Sequence, residues 1–286
     1  MHGSEIRLRR MVRAAQVKAS GLVDRRQRGW ADRPSEWAHV CNICGWHGIA
    51  FAGPAHSEAA DCPSCASVAR DRYLHWCWTH RVRYSRRQRV LETSPRLGEQ
   101  YRRHMSQVVS YVASDYDESA HRAMLKLDLQ DLQLPDASFD VILTPHVLEH
   151  VPDTDAALRE LFRVTAPGGS VFLMVPMATG LTAAPTEPEY HADHTLVYWN
   201  FGWDLGDKLR AAGFSVECLV TQPLIDRVRR GQFDTNLTAS DMDELSLLKH
   251  AALRDLTAIA GEREAIRYGF VPDAYFIVWH GGVPTA

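Results

Sequence analysis

Four of the six cysteines stand as two Cys-x2-Cys pairs that are 17 residues apart: Cys41, Cys44, Cys62 and Cys65. Each pair on a tight turn directs two thiolates at one ion, and two pairs complete the tetrahedron that zinc prefers. Two disulfides are the alternative, but the chain shows no secretion signal, so zinc is favoured. Four thiolates fill the coordination shell, and we therefore expect this zinc to be structural.

Acidic residues follow three successive short apolar runs farther along the chain. Glu92 follows the first run, Asp115 the second and Asp128 the third. In a parallel sheet, ligands bind beyond the carboxyl ends of the strands. A carboxylate at the end of the second strand can accept hydrogen bonds from both hydroxyls of a ribose, and Asp115 suits that role. Helix capping is the alternative for each acid taken singly, whereas the ordered set favours a binding site.

The elements that must position these acids follow the pattern of a doubly wound, mostly parallel α/β sheet, because short apolar runs alternate with helical stretches from residue 88 onward. One helix is expected to begin at a cap on Asp153 and to end at Pro167-Gly168-Gly169. A second is expected over Asp204 to Ala212. The predicted strands are Arg89 to Leu91, Val108 to Ala113, Met124 to Leu127, Val141 to Leu143, Val171 to Val175, Ser215 to Val220 and Ala274 to Trp279.

The chain divides into two predicted domains. Residues 1–87 hold a basic helix over 5–28, the cysteine module and an Arg- and Trp-rich helix over Val68 to Tyr84. Residues 88–286 form the sheet domain, with a helical insertion at about 222–271 whose apolar face includes Leu256 and Ile259. We expect this insertion to cover the active site, with a dimer contact as the alternative, so that a monomer or a homodimer remains open.

Composition places the chain among globular proteins: 286 residues, 45% hydrophobic and 23% charged, with a net charge of -3. No apolar run approaches the roughly 18 residues that cross a bilayer, so we expect no membrane contact and a cytoplasmic protein. Residues 1–110 hold 19 Lys and Arg against 9 Asp and Glu, whereas residues 111–286 hold 13 against 26. The basic residues flank the cysteines, since residues 34–65 contain no Lys or Arg, which makes a nucleic-acid partner possible but not favoured.

Three stretches carry a family resemblance. They are Leu134 to Leu143, His146 to Val151, and Leu161 to Gly169. In order and spacing they resemble the class I S-adenosylmethionine-dependent methyltransferases, type 11-like, some of which carry an amino-terminal cysteine module. The resemblance implies a seven-stranded, Rossmann-like sheet behind a small zinc-binding domain similar to a zinc ribbon.

The same resemblance implies S-adenosylmethionine as cofactor and a set of residues that bind it. Glu92 would approach the methionine part, Asp115 the ribose, Asp128 with Leu129 the adenine, and Thr144 the sulfonium. The full set is Glu92, Thr93, Ser94, Gly98, Asp115, Tyr116, Asp128, Leu129, Thr144 and Pro145.

The first loop departs from the family pattern. A Gly-x-Gly-x-Gly run usually lets the backbone approach the cofactor without an intervening Cβ, but residues 92–98 keep only Gly98. Either the loop still binds the cofactor, with hydroxyl contacts from Thr93 and Ser94, or the domain is a scaffold. Binding is favoured, because the three strand-end acids occur together.

His146 is the first candidate for a general base or a substrate-orienting group, since it follows the fourth strand; the alternative is that it only ties the next turn together. Asp193 and His194 lie in a loop predicted to cover the substrate, and with His191 they are also metal-ligand types. The leading hypothesis is methyl transfer to an oxygen or nitrogen of a small, biosynthetic substrate. The alternatives are an RNA methyltransferase, a non-catalytic scaffold, and other chemistry that uses the same cofactor.

Overall fold

The computed structural model of the chain describes residues 39–52, 61–117, 123–178, 180–191, 194–230, 255–270 and 277–285. The predicted helix over 5–28 lies outside these ranges, as do Asp193 and the first part of the predicted insertion helix. No helix within the described ranges is long and apolar enough to cross a bilayer.

A mostly parallel sheet of eight strands forms the centre of the structure, in the spatial order β11-β10-β12-β7-β6-β3-β4-β5. Only β12 runs antiparallel to its neighbours in it. The strands are β3 (Arg89–Thr93), β4 (Ser110–Asp115), β5 (Leu125–Lys126), β6 (Phe139–Pro145), β7 (Thr165–Met174), β10 (Ser215–Thr221), β11 (Leu256–Ala260) and β12 (Val278–Gly282). Two hairpins lie outside it: β1 (His39–Val40) with β2 (His47–Gly48), and β8 (Glu189–Tyr190) with β9 (Leu196–Val197).

Helices cover both faces of the sheet. They are α1 (Ala69–Arg81), α2 (Glu99–Val108), α3 (Thr154–Val164), α4 (Leu205–Ala211), α5 (Gln222–Arg230) and α6 (Glu262–Tyr268), with a 3-10 turn at Leu148–His150. The predicted cap of α3 is confirmed, since Asp153 Oδ1 accepts a hydrogen bond of 2.8 Å from the amide of Ala156. This helix ends at Val164, three residues before the predicted stop, because β7 already begins at Thr165 and contains the Pro-Gly-Gly segment.

The predicted α/β sheet is confirmed, but it has eight strands and not seven. The additional strand is β11, which pairs in parallel with β10 at the edge of the sheet. It contains Leu256 and Ile259, which the sequence pattern placed on a helix. Thr257 and Ile259 are β-branched, which favours a strand. The edge of β10 also offers backbone groups with which a strand can pair. These residues therefore form a strand although their apolar spacing also fits a helix.

The cysteine module packs onto the sheet and does not stand apart from it. One hydrophobic core joins buried residues of the module, of α1 and of the sheet, including Ile43, Tyr73 and Leu219. The hydroxyl of Tyr73 donates a hydrogen bond of 2.9 Å to the backbone carbonyl of Leu219. A second core lies on the opposite face, around α3 and α4.

Candidate cofactor and substrate site

The four cysteines come together in a tight cluster next to α1. The sulfur of Cys41 lies 3.7 Å from that of Cys65, and the sulfur of Cys44 lies 3.6 Å from that of Cys62. With zinc–sulfur bonds of about 2.3 Å, the edge of a regular tetrahedron is about 3.8 Å. Hydrogen bonds from the other three thiols, that of Cys44 first, lower the pKa of Cys41 far below its usual range. The cluster is therefore consistent with a zinc module.

The strand order brings the strand-end residues to one edge of the sheet. Strands β6, β3, β4 and β5 are neighbours and parallel, so Thr144, Glu92, Asp115 and Asp128 lie at adjacent carboxyl ends or just beyond them. The topology of the sheet thus groups the side chains that the sequence placed on separate segments.

The loop after β3 takes a glycine-like turn although it lacks the glycine. Ser94 has a φ of 48°, in the left-handed region that favours glycine, at a cost of about 1 kcal/mol. Its hydroxyl donates a hydrogen bond of 2.8 Å to Asp115 Oδ2, and the amide of Asp117 lies 3.1 Å from Asp115 Oδ1. Gly98 caps α2, and a Cβ there would meet nothing within 4 Å. The loop thus contains a backbone conformation that glycine favours, and the Ser94 hydroxyl orients Asp115.

Glu92 is buried and held by two tyrosines. Its Oε2 accepts hydrogen bonds from Tyr101 (2.9 Å) and Tyr111 (2.7 Å). Burial raises the pKa of Glu92 to about 7, and the two phenol hydrogen bonds only partly offset that effect. Glu92 therefore gains or loses its proton near neutral pH, so a cation placed beside it would shift this equilibrium.

A cavity separates this edge of the sheet from the cysteine module. The sheet domain contributes Glu92, Ser94, Arg96, Leu97, Tyr101, Leu143, Pro145, His146 and Met174. The module and α1 contribute Ile43, Arg70, Asp71, Leu74, His75 and Trp78. Arg96 donates hydrogen bonds to both carboxylate oxygens of Asp71, so an ion pair joins the two sides. The cavity is thus enclosed by both parts of the chain.

Residues 96–173 match the family model described as a methyltransferase domain. The chain is therefore similar to methyltransferase domains over this stretch. It is 43% identical over 60 residues to 27-O-demethylrifamycin SV methyltransferase of Amycolatopsis mediterranei, covering 20% of this chain and 22% of that one. It is 33% identical over 164 residues to a probable S-adenosylmethionine-dependent methyltransferase of Mycobacterium tuberculosis, covering 46% of this chain and 58% of that one.

A solved Bacillus subtilis protein is 14% identical, with a TM-score of 0.44 over 76% of this chain and 99% of its own. The chain spans less than a quarter of the first curated relative and just over half of the mycobacterial one.

Five of the predicted cofactor residues, namely Thr93, Tyr116, Asp128, Leu129 and Thr144, do not line the cavity. Tyr116 is 70% exposed, and Leu129 is buried. Asp128 accepts a hydrogen bond of 2.9 Å from the amide of Gln130. Thr93 and Thr144 are buried, and neither hydroxyl has a hydrogen-bond partner among the residues that the structure describes. A polar ligand at this edge could form hydrogen bonds with those two hydroxyls.

Two of the three candidate catalytic residues, His146 and His194, are among the described residues. His146 lines the cavity, has a φ of 53°, and donates its amide to the carbonyl of Met174 at 2.7 Å. His194 is exposed in the β8–β9 turn, where its amide donates to the carbonyl of His191 at 2.9 Å. Asp193 lies outside the described residues.

The cysteine module and α1 form the wall of the cavity opposite the sheet. None of the described residues in 222–230 and 255–270 lines the cavity. The described part of the insertion instead supports the module: buried Arg72 donates hydrogen bonds to the carbonyls of Tyr268 and Gly269 at 2.9 Å, and also to that of Ser67. Residues 231–254 of the predicted insertion lie outside the described residues, so the expectation that the insertion covers the active site stays a prediction. A run of Arg and Trp in α1 was the sequence signal for the wall that α1 contributes, but sequence does not show which side of α1 faces the cavity.

Proposed function

We propose that the chain transfers a methyl group from S-adenosylmethionine to an oxygen or nitrogen of a small molecule. The observation that carries this proposal is the cavity at the carboxyl edge of the sheet, which Glu92, Ser94 and His146 line next to and within the stretch that matches the methyltransferase domain. Ligands of doubly wound sheets bind at this edge.

The side chains at the edge fit the parts of the cofactor. Asp115 presents its carboxylate beside the glycine-like turn, where it would bind the ribose hydroxyls, and Asp128 with Leu129 would flank the adenine. Glu92, across the cavity from Arg70, would face the methionine end, where a carboxylate and a guanidinium suit an ammonium and a carboxylate. The other proposed cofactor-binding residues are Thr93, Ser94, Gly98, Tyr116, Thr144 and Pro145.

The residues of the chain would chiefly align the acceptor and exclude water, because the bound cofactor already supplies an activated methyl group. His146 lines the cavity and is the proposed group that orients the acceptor or holds its proton. His194 and Asp193 remain proposed contributors from the substrate side.

The small-molecule substrate class is supported by the names of relatives. The curated relatives include 27-O-demethylrifamycin SV methyltransferase and ajmaline N-methyltransferase of Rauvolfia serpentina, whose names state a small acceptor with oxygen or nitrogen. The proposed zinc in the cysteine cluster would be structural, because four thiolates leave no open coordination position.

Isothermal titration calorimetry with S-adenosylmethionine and S-adenosylhomocysteine tests the proposal. We expect both to bind, and Asp115→Asn to weaken binding about 10- to 100-fold, the effect of losing a charge-assisted hydrogen bond. Asp131→Asn is the matched control: Asp131 is exposed, accepts from Gln133, and does not line the cavity, so its affinity should equal that of the wild type. No binding of either compound at millimolar concentration would favour a scaffold and contradict the proposal.

A further inference from the structure

A buried carboxylate beside the cavity lacks the partners that such a group requires. Glu149 is 1% exposed, and neither of its carboxylate oxygens has a hydrogen-bond partner among the residues that the structure describes. Burial of a carboxylate without donors or a cation is strongly unfavourable. The nearest side chains are His146, with Nδ1 at 3.6 Å from Glu149 Oε1, and His150, with Nε2 at 3.9 Å.

The orientation of His150 is that of a metal ligand. Its Nδ1 lies 2.7 Å from the backbone carbonyl of Leu196, and because a carbonyl only accepts, Nδ1 carries the proton. The lone pair of neutral His150 is therefore on Nε2, the atom nearer to Glu149. Metal-binding histidines almost always donate their other ring nitrogen to a carbonyl or carboxylate in this way.

His191 adds a third ligand from a different part of the chain. Its ring packs edge-on against that of His150, with centroids 4.6 Å apart, and it follows strand β8 directly. One ligand atom each from Glu149, His150 and His191 lies within 4.8 Å of the others. Ligands around zinc, with bonds of about 2.0 to 2.1 Å, are about 3.4 Å apart, so a small closure of side chains would form the site.

We propose that Glu149, His150 and His191 bind a divalent transition-metal ion, for which zinc is the probe. Two histidines and one carboxylate satisfy zinc and leave one coordination position open, unlike the cysteine cluster. The ion would neutralise Glu149 and join the turn after β6 to the β8–β9 hairpin. It would also lie next to His146, which lines the cavity. Metal binding here does not depend on the proposed methyl transfer.

Metal content measures the proposal directly. The full chain is stripped of metal, loaded with excess zinc, desalted, and analysed by inductively coupled plasma mass spectrometry. We expect His191→Ala and Glu149→Gln each to bind one zinc fewer than the wild type. His194→Asn is the control in the same turn. Asparagine tolerates the φ of 66° that His194 adopts, so this variant should bind as much zinc as the wild type.

Cobalt distinguishes this site from the cysteine cluster, because only thiolate ligands give strong charge-transfer absorption. We expect His191→Ala to lose one cobalt while this absorption stays unchanged. Equal metal content in the wild type and His191→Ala would overturn the proposal. His191→Ala changes an accessible hairpin, so circular dichroism should confirm its fold even if Glu149→Gln fails to fold.

Discussion

The two sides of the cavity are built in different ways. The sheet side comes from the ends of adjacent strands: Glu92 is the fourth residue of β3, and Leu143 and Pro145 are the fifth and seventh of β6. The module side comes from Ile43 and α1, and buried Arg72 ties α1 to the segment that ends at Gly269. The sheet side thus follows from local sequence pattern, whereas the module side depends on contacts between residues almost 200 positions apart.

The cysteine module forms part of the proposed cofactor site. Its core is shared with the sheet, and the Arg96–Asp71 ion pair crosses from one side to the other. Loss of the module should therefore affect both stability and cofactor binding, although no cysteine lines the cavity.

Removal of zinc should have the largest effect. Structural zinc contributes to folding directly, and a loss of more than about 3 kcal/mol would lower the melting temperature by about 5 °C or more. Thermal unfolding followed by circular dichroism, with and without a strong chelator, measures the shift. The Cys62→Ser variant should already have a low melting temperature, and the chelator should change it little. An unchanged melting temperature of the chelated wild type would contradict the assignment of a structural zinc to the cysteine cluster.

Arg72→Met should come next, because it deprives three backbone carbonyls of a buried charged donor. We expect the free energy of unfolding to fall by about 3 to 5 kcal/mol, as measured by urea denaturation. Arg83→Met, at an exposed position just beyond α1, should change it by less than about 0.5 kcal/mol. Equal effects of the two substitutions would show that the module is not clamped in this way.

Features that depend on local sequence patterns could be predicted from the sequence. The cysteine spacing indicated the cluster, and alternating apolar runs indicated the sheet and hence the edge where Glu92, Asp115 and Thr144 meet. It could not show that β11 joins the sheet, since Leu256 and Ile259 also fit a helical face until the edge of β10 is known. It also could not bring His191 to Glu149, because that contact depends on how a hairpin folds over the strand ends.

Arg70→Ala should reduce cofactor affinity moderately. The guanidinium lines the cavity from α1, and losing one contact to a carboxylate weakens binding by about tenfold. Calorimetry with S-adenosylhomocysteine measures this change. Arg86→Ala, at an exposed position outside the cavity, should bind like the wild type; if Arg70→Ala does as well, α1 is only a cover.

Glu92 should give the smallest effect, a pH dependence of cofactor binding. Its pKa of about 7 means that the free protein holds a proton below neutral pH, and a cofactor ammonium would favour the carboxylate. Binding at pH 6 should therefore release a proton and be up to about tenfold weaker than at pH 8. Calorimetry in buffers of different ionisation enthalpy detects the proton, and Glu92→Gln should abolish its release.

The same raised pKa has a consequence for stability with the opposite direction. Unfolded Glu92 ionises near pH 4.5, before the folded residue does, so the folded state holds more protons between about pH 4.5 and 7. The contribution of Glu92 to the free energy of unfolding should fall as pH rises through that window, and Glu92→Gln should remove this slope. A slope that persists in Glu92→Gln would assign it to other groups.

Hydrogen–deuterium exchange with and without S-adenosylhomocysteine tests most directly whether the cofactor binds between the two sides. We expect slower exchange in both residues 92–97 and α1. Protection of the sheet edge with unchanged exchange in α1, or protection confined to the β10–β11 edge, would contradict it.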